Sequence, residues 1–347
     1  MPKEEKNTSF ETGIINLEDL AKNQHYRYQD IFYIEFHPEF KKELYSKIKE
    51  VAKTIRNLSK ETGISFTRLW DQLTRVPISI EVLNKVSKYL VDKGHIKYLL
   101  KNIEKKIFYI KSSGSKSQKI YSPNLPIILK TKEGMRFIAH LYHDGGIGQY
   151  NRQPNYTNQS LDEIKGFLKD AQKLFGSFDR KITMWTNPRS KKNYYRISLP
   201  TIIGQILIRI GYTPGDKTKN NSPIFAFLEN IEDKNLMSEY LTKAFNDDGF
   251  VRKRSIGLGQ ASLIKEKEMP SRVLLLDKLF LEKLNIKVRG PQLVQKYQNR
   301  HGLVTKYDIQ IYSKKNIQQF YEQIKLIERK NKQIESYLLN WGQKKNS

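Results

Sequence analysis

Two stretches decide how this chain is read: FIAHLYHDGG at residues 137–146 and YLTKAFNDDGF at residues 240–250. Each is an apolar run with helical spacing, and each ends on an Asp-Gly pair. Asp144-Gly145 and Asp248-Gly249 are the two Asp-Gly dipeptides in the sequence. A lone Asp-Gly marks a turn. The surroundings of these two say more, because the patterning on either side repeats. After the first, it predicts strands within 147–158, a helix over 160–175, strands near 178–187 and 193–199, and a helix over 200–210. After the second, it predicts strands within 249–264, a helix over 270–284, strands near 286–297 and 302–312, and a helix over 314–338. The order helix–strand–strand–helix–strand–strand–helix is therefore written twice.

Composition bounds the chemistry. The 347 residues include 62 Lys and Arg against 36 Asp and Glu, a formal charge of +26. Residues 1–20 hold two lysines against five carboxylates, so the remainder carries +29. Such an excess repels itself unless a polyanion offsets it, and a nucleic-acid backbone does so with release of counterions. Cysteine is absent. That removes disulfide frameworks, thiolate zinc sites, iron–sulfur clusters and cysteine nucleophiles. The longest apolar run, 202–210, carries Gln205 and Arg209 and is too short to span a bilayer. No phosphate-cradling GxxxxGK[ST] loop occurs. The polar, acidic N-terminus is unlike a signal peptide. We expect a cytoplasmic, nucleoid-associated protein; an organelle-encoded one would read the same.

Upstream of the repeat, residues 1–30 read as a loose polar tail and 31–110 as a helical domain. Residues 111–126 (KSSGSKSQKIYSPNLP) read as a basic linker or hairpin tip, before halves at 127–220 and 221–347. Ser59, Gly63 and Leu69 have the spacing of a helix–turn–helix corner, with Ser65 and Ser79 as N-caps. The second helix, SFTRLWDQL, would then offer Thr67, Arg68 and Gln72 to DNA and turn Trp70 and Leu73 to the core.

With both motif runs in view, the sequence resembles a single-chain LAGLIDADG homing endonuclease over about residues 125–330. The aligned copies are Phe137 to Gly145 and Leu241 to Gly249. Ala139 stands where the family places a small residue, whereas the second copy has Lys243 there and Ala244 one place on. The resemblance implies an α+β fold. Two pseudo-symmetric αββαββα halves would form a DNA-binding saddle behind a mostly helical N-terminal domain. It implies that Asp144 and Asp248, with the carbonyls of Gly145 and Gly249, hold Mg²⁺ or Mn²⁺ near two scissile phosphates. It places a basic residue near the start of the last helix of each half: Lys314 fits in the second, and the first has Leu199-Pro200-Thr201 with no lysine. Gln260 is the candidate for organising catalytic water, and Asp247 for supporting Asp248. His140 and His143 are expected to pack rather than bind metal.

The strands would supply the groove-reading surface, since alternate side chains share a face. The candidates are Arg180, Arg189, Lys191, Lys192 and Arg196 in the first half, and Arg252, Arg254, Gln292, Gln295 and Arg300 in the second. The expected activity is a staggered double-strand cut in a long duplex site by a monomer, with no membrane partner. The alternatives are a catalytically silent DNA-binding regulator on the same scaffold, or an intron-RNA-binding splicing cofactor.

Overall fold

A computed structural model describes residues 11–22, 31–114, 117–188, 190–217, 224–252, 254–263, 269–299 and 302–341. The chain divides into two compact units. The first takes residues 1–128 together with 171–180 and 199–210; the second takes 129–170, 181–198 and 211–347. No helix among the described residues is long and apolar enough to cross a membrane.

The first unit sets its helices beside a small sheet. Strands β1 (Ile14–Ile15), β2 (Phe32–Phe36), β3 (Ile78–Ser79), β4 (Ile107–Ser112), β5 (Lys119–Tyr121) and β6 (Ile127–Ile128) form a sheet in the order β3-β2-β4-β5 and a separate β1-β6 pair. In β2 the alternation buries Phe32, Ile34 and Phe36. Residues 11–22 are not a loose tail: Ile15, Leu17, Leu20 and Ala21 are buried, and Leu17 N donates to Glu104 Oε1 at 2.6 Å. The 111–126 stretch is not a linker. It completes the β4–β5 hairpin, in which Ile110 pairs with Ile120, and then leads into β6.

Residues 55–92 form three helices, Ile55–Thr62, Phe66–Thr74 and Ile80–Asp92. Gly63 closes the first with φ 67°, a left-handed turn that glycine adopts without strain. Leu58 and Leu69 are fully buried in the corner. Three assignments on the middle helix change. Gln72 is buried, and its Oε1 accepts from Ser79 N and Ser79 Oγ at 2.9 and 3.0 Å, so it fixes the next helix start instead of facing DNA. Arg68 pairs with Glu81 at 2.7 Å. Trp70 is 37% exposed and stacks on exposed Phe66, whereas Thr67 is open to solvent.

The second unit holds two four-stranded antiparallel sheets. The strands are β7 (Gly145–Ile147), β8 (Pro154–Asn158), β9 (Thr183–Thr186), β10 (Asn193–Ser198), β11 (Gly249–Arg252), β12 (Ser255–Leu263), β13 (Arg289–Asn299) and β14 (Gly302–Ile311). Their orders, β7-β8-β10-β9 and β11-β12-β14-β13, are the same path traced twice. Each sheet buries one face: Tyr156 and Ile197 in the first, Leu258 and Ile309 in the second. The helix Thr201–Arg209, expected to close the first half, belongs to the first unit, where Arg209 donates to Leu20 O and lies over Phe32.

Candidate active site

Each Asp-Gly pair follows a helix. The first motif helix, Lys132–Tyr142, starts at Thr131, whose hydroxyl accepts from Gly134 N. The second, Lys234–Asp247, starts at Asp233, whose carboxylate accepts from Asn235 N and Leu236 N. The two helices pack together through a ladder of polar pairs. Arg136 binds Glu239 at 3.0 Å and Asp170 at 2.7 Å; His140 Nδ1 meets Asp247 Oδ2 at 2.8 Å; His143 Nδ1 meets Asp248 Oδ2 at 2.9 Å. Ala139 and Ala244 are fully buried. Lys243, the departure from a small residue, pairs with Glu163 at 2.6 Å.

The glycines are required by close approach, not by a positive φ. A Cβ on Gly145 would lie 2.7 Å from His140 O, and one on Gly249 would lie 2.3 Å from Phe245 O. The first strand of each sheet therefore leaves directly from the end of its helix.

Beside each aspartate stands a side-chain amide. In the second half, Gln260 Nε2 lies 3.5 Å from Asp248 Oδ2 and 3.2 Å from His143 Nδ1, and Ser271 Oγ donates to Gln260 Oε1 at 2.8 Å. In the first half, Asn158 Nδ2 donates to Asp144 Oδ2 and Asp247 Oδ1, both at 3.2 Å. The ladders make these two amides counterparts. Gly145 pairs with Tyr156 and Gly249 with Leu258, and Asn158 and Gln260 each follow two residues later. Tyr156 OH donates to Asp247 Oδ1 at 2.6 Å, placing Asp247 as support for both ends.

A lysine caps each motif-helix end, and neither is the one expected; Lys217 also lines a cavity beside Asp248. Lys217 Nζ donates to Tyr142 O at 3.0 Å and to His143 O, at the end of the first motif helix. Lys330 Nζ donates to Phe245 O, Asn246 O and Gly249 O at 2.5, 3.0 and 2.7 Å, at the end of the second. Both ammonium groups sit where a helix end is most negative. Lys314 is exposed in the first turn of the helix Lys314–Gln323, and among the described residues no bond joins it to Asp248. The spacing holds a signal that helix starts alone do not: Lys217 lies 16 residues after Thr201, and Lys330 lies 16 after Lys314. The first half thus has a lysine after all.

The electrostatics reflect this crowding. Asp144 reaches solvent, yet desolvation of its carboxyl and the neighbouring Asp247 and Asp248 charges push it up to about 7. Burial works against ionisation of Asp248, but the His143 bond outweighs it and holds the carboxyl below the usual range. Burial likewise opposes the His143 cation, and Asp277 and Asp248 overcome it, raising the imidazole to about 10. Asp277 is fully buried 3.4 Å from His143 Nε2. Burial lowers Lys217, and it lowers Lys330 to about 8. A cavity of about 190 Å³ opens beside the second aspartate, lined by Lys217, Asp248, Gln260, Ser271 and Val273.

The donors suit a hard divalent cation. Asp144 and Asp248 provide carboxylate oxygens next to carbonyl-rich helix ends. Among the described residues, no three His, Cys, Asp or Glu side chains form a metal cage, so the protein alone supplies an incomplete shell. Mg²⁺ and Mn²⁺ tolerate that when water and phosphate oxygens complete it. One expected ligand is taken: the Gly249 carbonyl already accepts from Lys330.

Of the groove-reading candidates, Arg196, Lys191, Lys192, Arg252, Gln292 and Gln295 are exposed. Arg252 lies over the Phe250 ring. Arg254 is exposed but sits in the β11–β12 turn with φ 69°, not in a strand beside Arg252. Arg180 is half-buried in the first unit, and its Nε is enclosed, so it is a poor contact. Arg189 and Arg300 lie outside the described residues.

No family model and no curated protein sequence matches the chain. Solved structures are similar to part of it. Full-length DUF199/WhiA from Thermatoga maritima is 13% identical with a TM-score of 0.37 over 60% of this chain and 61% of that one. This chain thus spans under two thirds of that protein. The N-terminal LAGLIDADG domain of DUF199/WhiA is 17% identical, with a TM-score of 0.37 over 60% and 90%. The homing endonuclease I-DmoI in complex with DNA and Ca is 12% identical, with a TM-score of 0.34 over 56% and 90%.

Proposed function

We propose that this chain is a site-specific, metal-dependent DNA endonuclease that binds a long duplex as a monomer and cuts both strands. One observation carries the reading: an aspartate with a side-chain amide beside it occurs twice, as Asp144–Asn158 and Asp248–Gln260, at the ends of two packed helices whose last carbonyls are each held by a buried lysine, Lys217 or Lys330. A catalytic pair of sites is what a double-strand cut needs.

Asp144 and Asp248 would hold the cations. When bound, the ions neutralise phosphate charge and acidify water. The rest falls to the chain. Gln260 and Asn158 present amide groups beside the carboxylates and can orient a water. Lys217 and Lys330 bring positive charge to the same two points, suited to the charge that builds on phosphate oxygens. Asp247, bonded to His140 and Tyr156, keeps the two helix ends in register. The exposed basic and amide residues of the sheets would bind the duplex, and Thr67 of the N-terminal unit is a candidate further contact.

A second reading, a DNA-binding regulator, rests on Lys330 occupying Gly249 O and on His143 engaging Asp248. Incubation with a randomised duplex library in Mg²⁺ or Ca²⁺, and then sequencing of bound and cut molecules, separates the two. The nuclease reading expects bound duplexes in both ions and cut ends in Mg²⁺ alone. Bound duplexes with no cut ends would favour the regulator, and selection only from a parallel RNA library would favour the splicing cofactor.

A further inference from the structure

The open faces of the two sheets are built from different chemistry at matching positions. In the first sheet Tyr194 pairs with Trp185, and Arg196 pairs with Thr183 on one side and Thr157 on the other. These residues share a face, because strand side chains alternate and Ile197, the residue after Arg196, is buried with its partner Tyr156 on the opposite face. The ladders put Tyr194 at the place of Lys306 in the second sheet, and Trp185 at the place of Gln295, which pairs with Lys306. The same cross-strand position therefore carries two hydrogen-bonding side chains in one half and two aromatic rings in the other.

The rings form an ordered platform. Their centroids are 5.8 Å apart with planes 19° from parallel, and Gln159 Nε2 donates to Tyr194 OH at 3.1 Å, fixing the phenol. Trp185 is 41% exposed. An exposed, stacked aromatic pair costs solvation unless something covers it. The charge around it favours a nucleic acid as the cover: residues 181–198 hold five Lys and Arg and no carboxylate. Exposed Lys191 and Lys192 stand in the β9–β10 turn, positioned for phosphates.

In a major groove the apolar feature a flat ring can meet is the thymine 5-methyl group. We infer that the Trp185–Tyr194 platform reads thymine methyls, so that one half of the recognition site is specified by methyl contacts and the other by hydrogen bonds from residues such as Gln295 and Lys306. The inference rests on the duplex-binding reading above.

The test uses the full chain and a duplex selected from the randomised library, with thymines replaced by deoxyuridine one half-site at a time. This removes the methyl and leaves base pairing intact. Uracil in one half-site is expected to weaken binding about fourfold for each methyl in full contact, and uracil in the other to change it less than twofold. Trp185→Ala is expected to abolish that difference between the half-sites. Equal tolerance of uracil in both half-sites, with the duplex still bound, would overturn the inference and leave the function standing; a protein partner would then be the better cover. Selection of no duplex at all would overturn the function and the inference with it. The uracil comparison needs only wild-type protein, so a variant that fails to fold does not blunt it.

Discussion

The two motif-helix ends share an Asp-Gly pair, an amide and a lysine, and they differ in how firmly the aspartate is held. Asp248 is bonded to the buried His143, which is backed by the buried Asp277, and it stays ionised. Asp144 reaches solvent, has the Asn158 amide at 3.2 Å, and is pushed up to about 7 by desolvation and by Asp247 and Asp248. The asymmetry has a simple origin. His143 precedes Asp144 in sequence but points across to the other half's aspartate, so the first half lends its extra side chain to the second site. A doubled motif in one chain is thereby free to hold one carboxylate rigidly and leave the other to be set by its ligand.

Four outcomes would sharpen or break this comparison. The largest is on cleavage. Asp144→Asn and Asp248→Asn should each slow cutting by about a thousandfold, consistent with several kcal/mol of charge stabilisation from a bound ion. Affinity for the selected duplex should hold in a gel-shift assay. Next comes stability. His143→Ala leaves Asp277 buried without its cation and should cost about 3–5 kcal/mol in urea unfolding, whereas Asn158→Ala at the open site should cost far less. The same histidine sets a pH dependence. The folded-state value of His143, about 10, lies above the unfolded value of ~6.5. Its contribution is therefore complete below about pH 6.5 and is lost as the pH rises through about 10. His143→Gln should flatten that part of the stability profile.

The third outcome compares the amides. Gln260→Ala and Asn158→Ala should each reduce nicking of one strand by about 10–100-fold, as loss of an outer partner to a metal ligand does. A strand-resolved nicking assay would show whether they act on different strands. The smallest concerns the glycines. Gly249→Ala forces a Cβ to 2.3 Å from Phe245 O and Gly145→Ala to 2.7 Å from His140 O. Overpacking of this kind costs about 1–3 kcal/mol, and urea midpoints should fall further for Gly249→Ala. An equal fall would mean that the first junction is as tight as the second.

Much of the frame was legible in the residues. The two Asp-Gly pairs and the repeated element order led to the packed helices and to Gln260 beside Asp248. Asn158 was missed because a lone Asn after a short strand has no pattern of its own; only the pairing register makes it the counterpart of Gln260. The lysines were missed for a related reason. A helix start draws attention to Lys314, whereas Lys217 sits in a loop-like TPGDK and Lys330 in an ordinary charged helix, and only the fold brings each back to a helix end. On the N-terminal unit, Gln72 and Arg68 looked free because their partners, Ser79 and Glu81, lie on the next turn of chain. Trp70 looked buried because it is large and apolar, but the corner is filled by Leu58 and Leu69.

The central claim is that Asp144 and Asp248 together form a cation site that serves bound duplex. Mn²⁺ binding monitored by electron paramagnetic resonance, with the selected duplex present, tests it most directly. Wild-type protein should bind Mn²⁺ tightly only with duplex, and the Asp144→Asn, Asp248→Asn double variant should lose that signal while still binding DNA. Undiminished Mn²⁺ binding in the double variant, or none in the wild-type complex, would contradict the account.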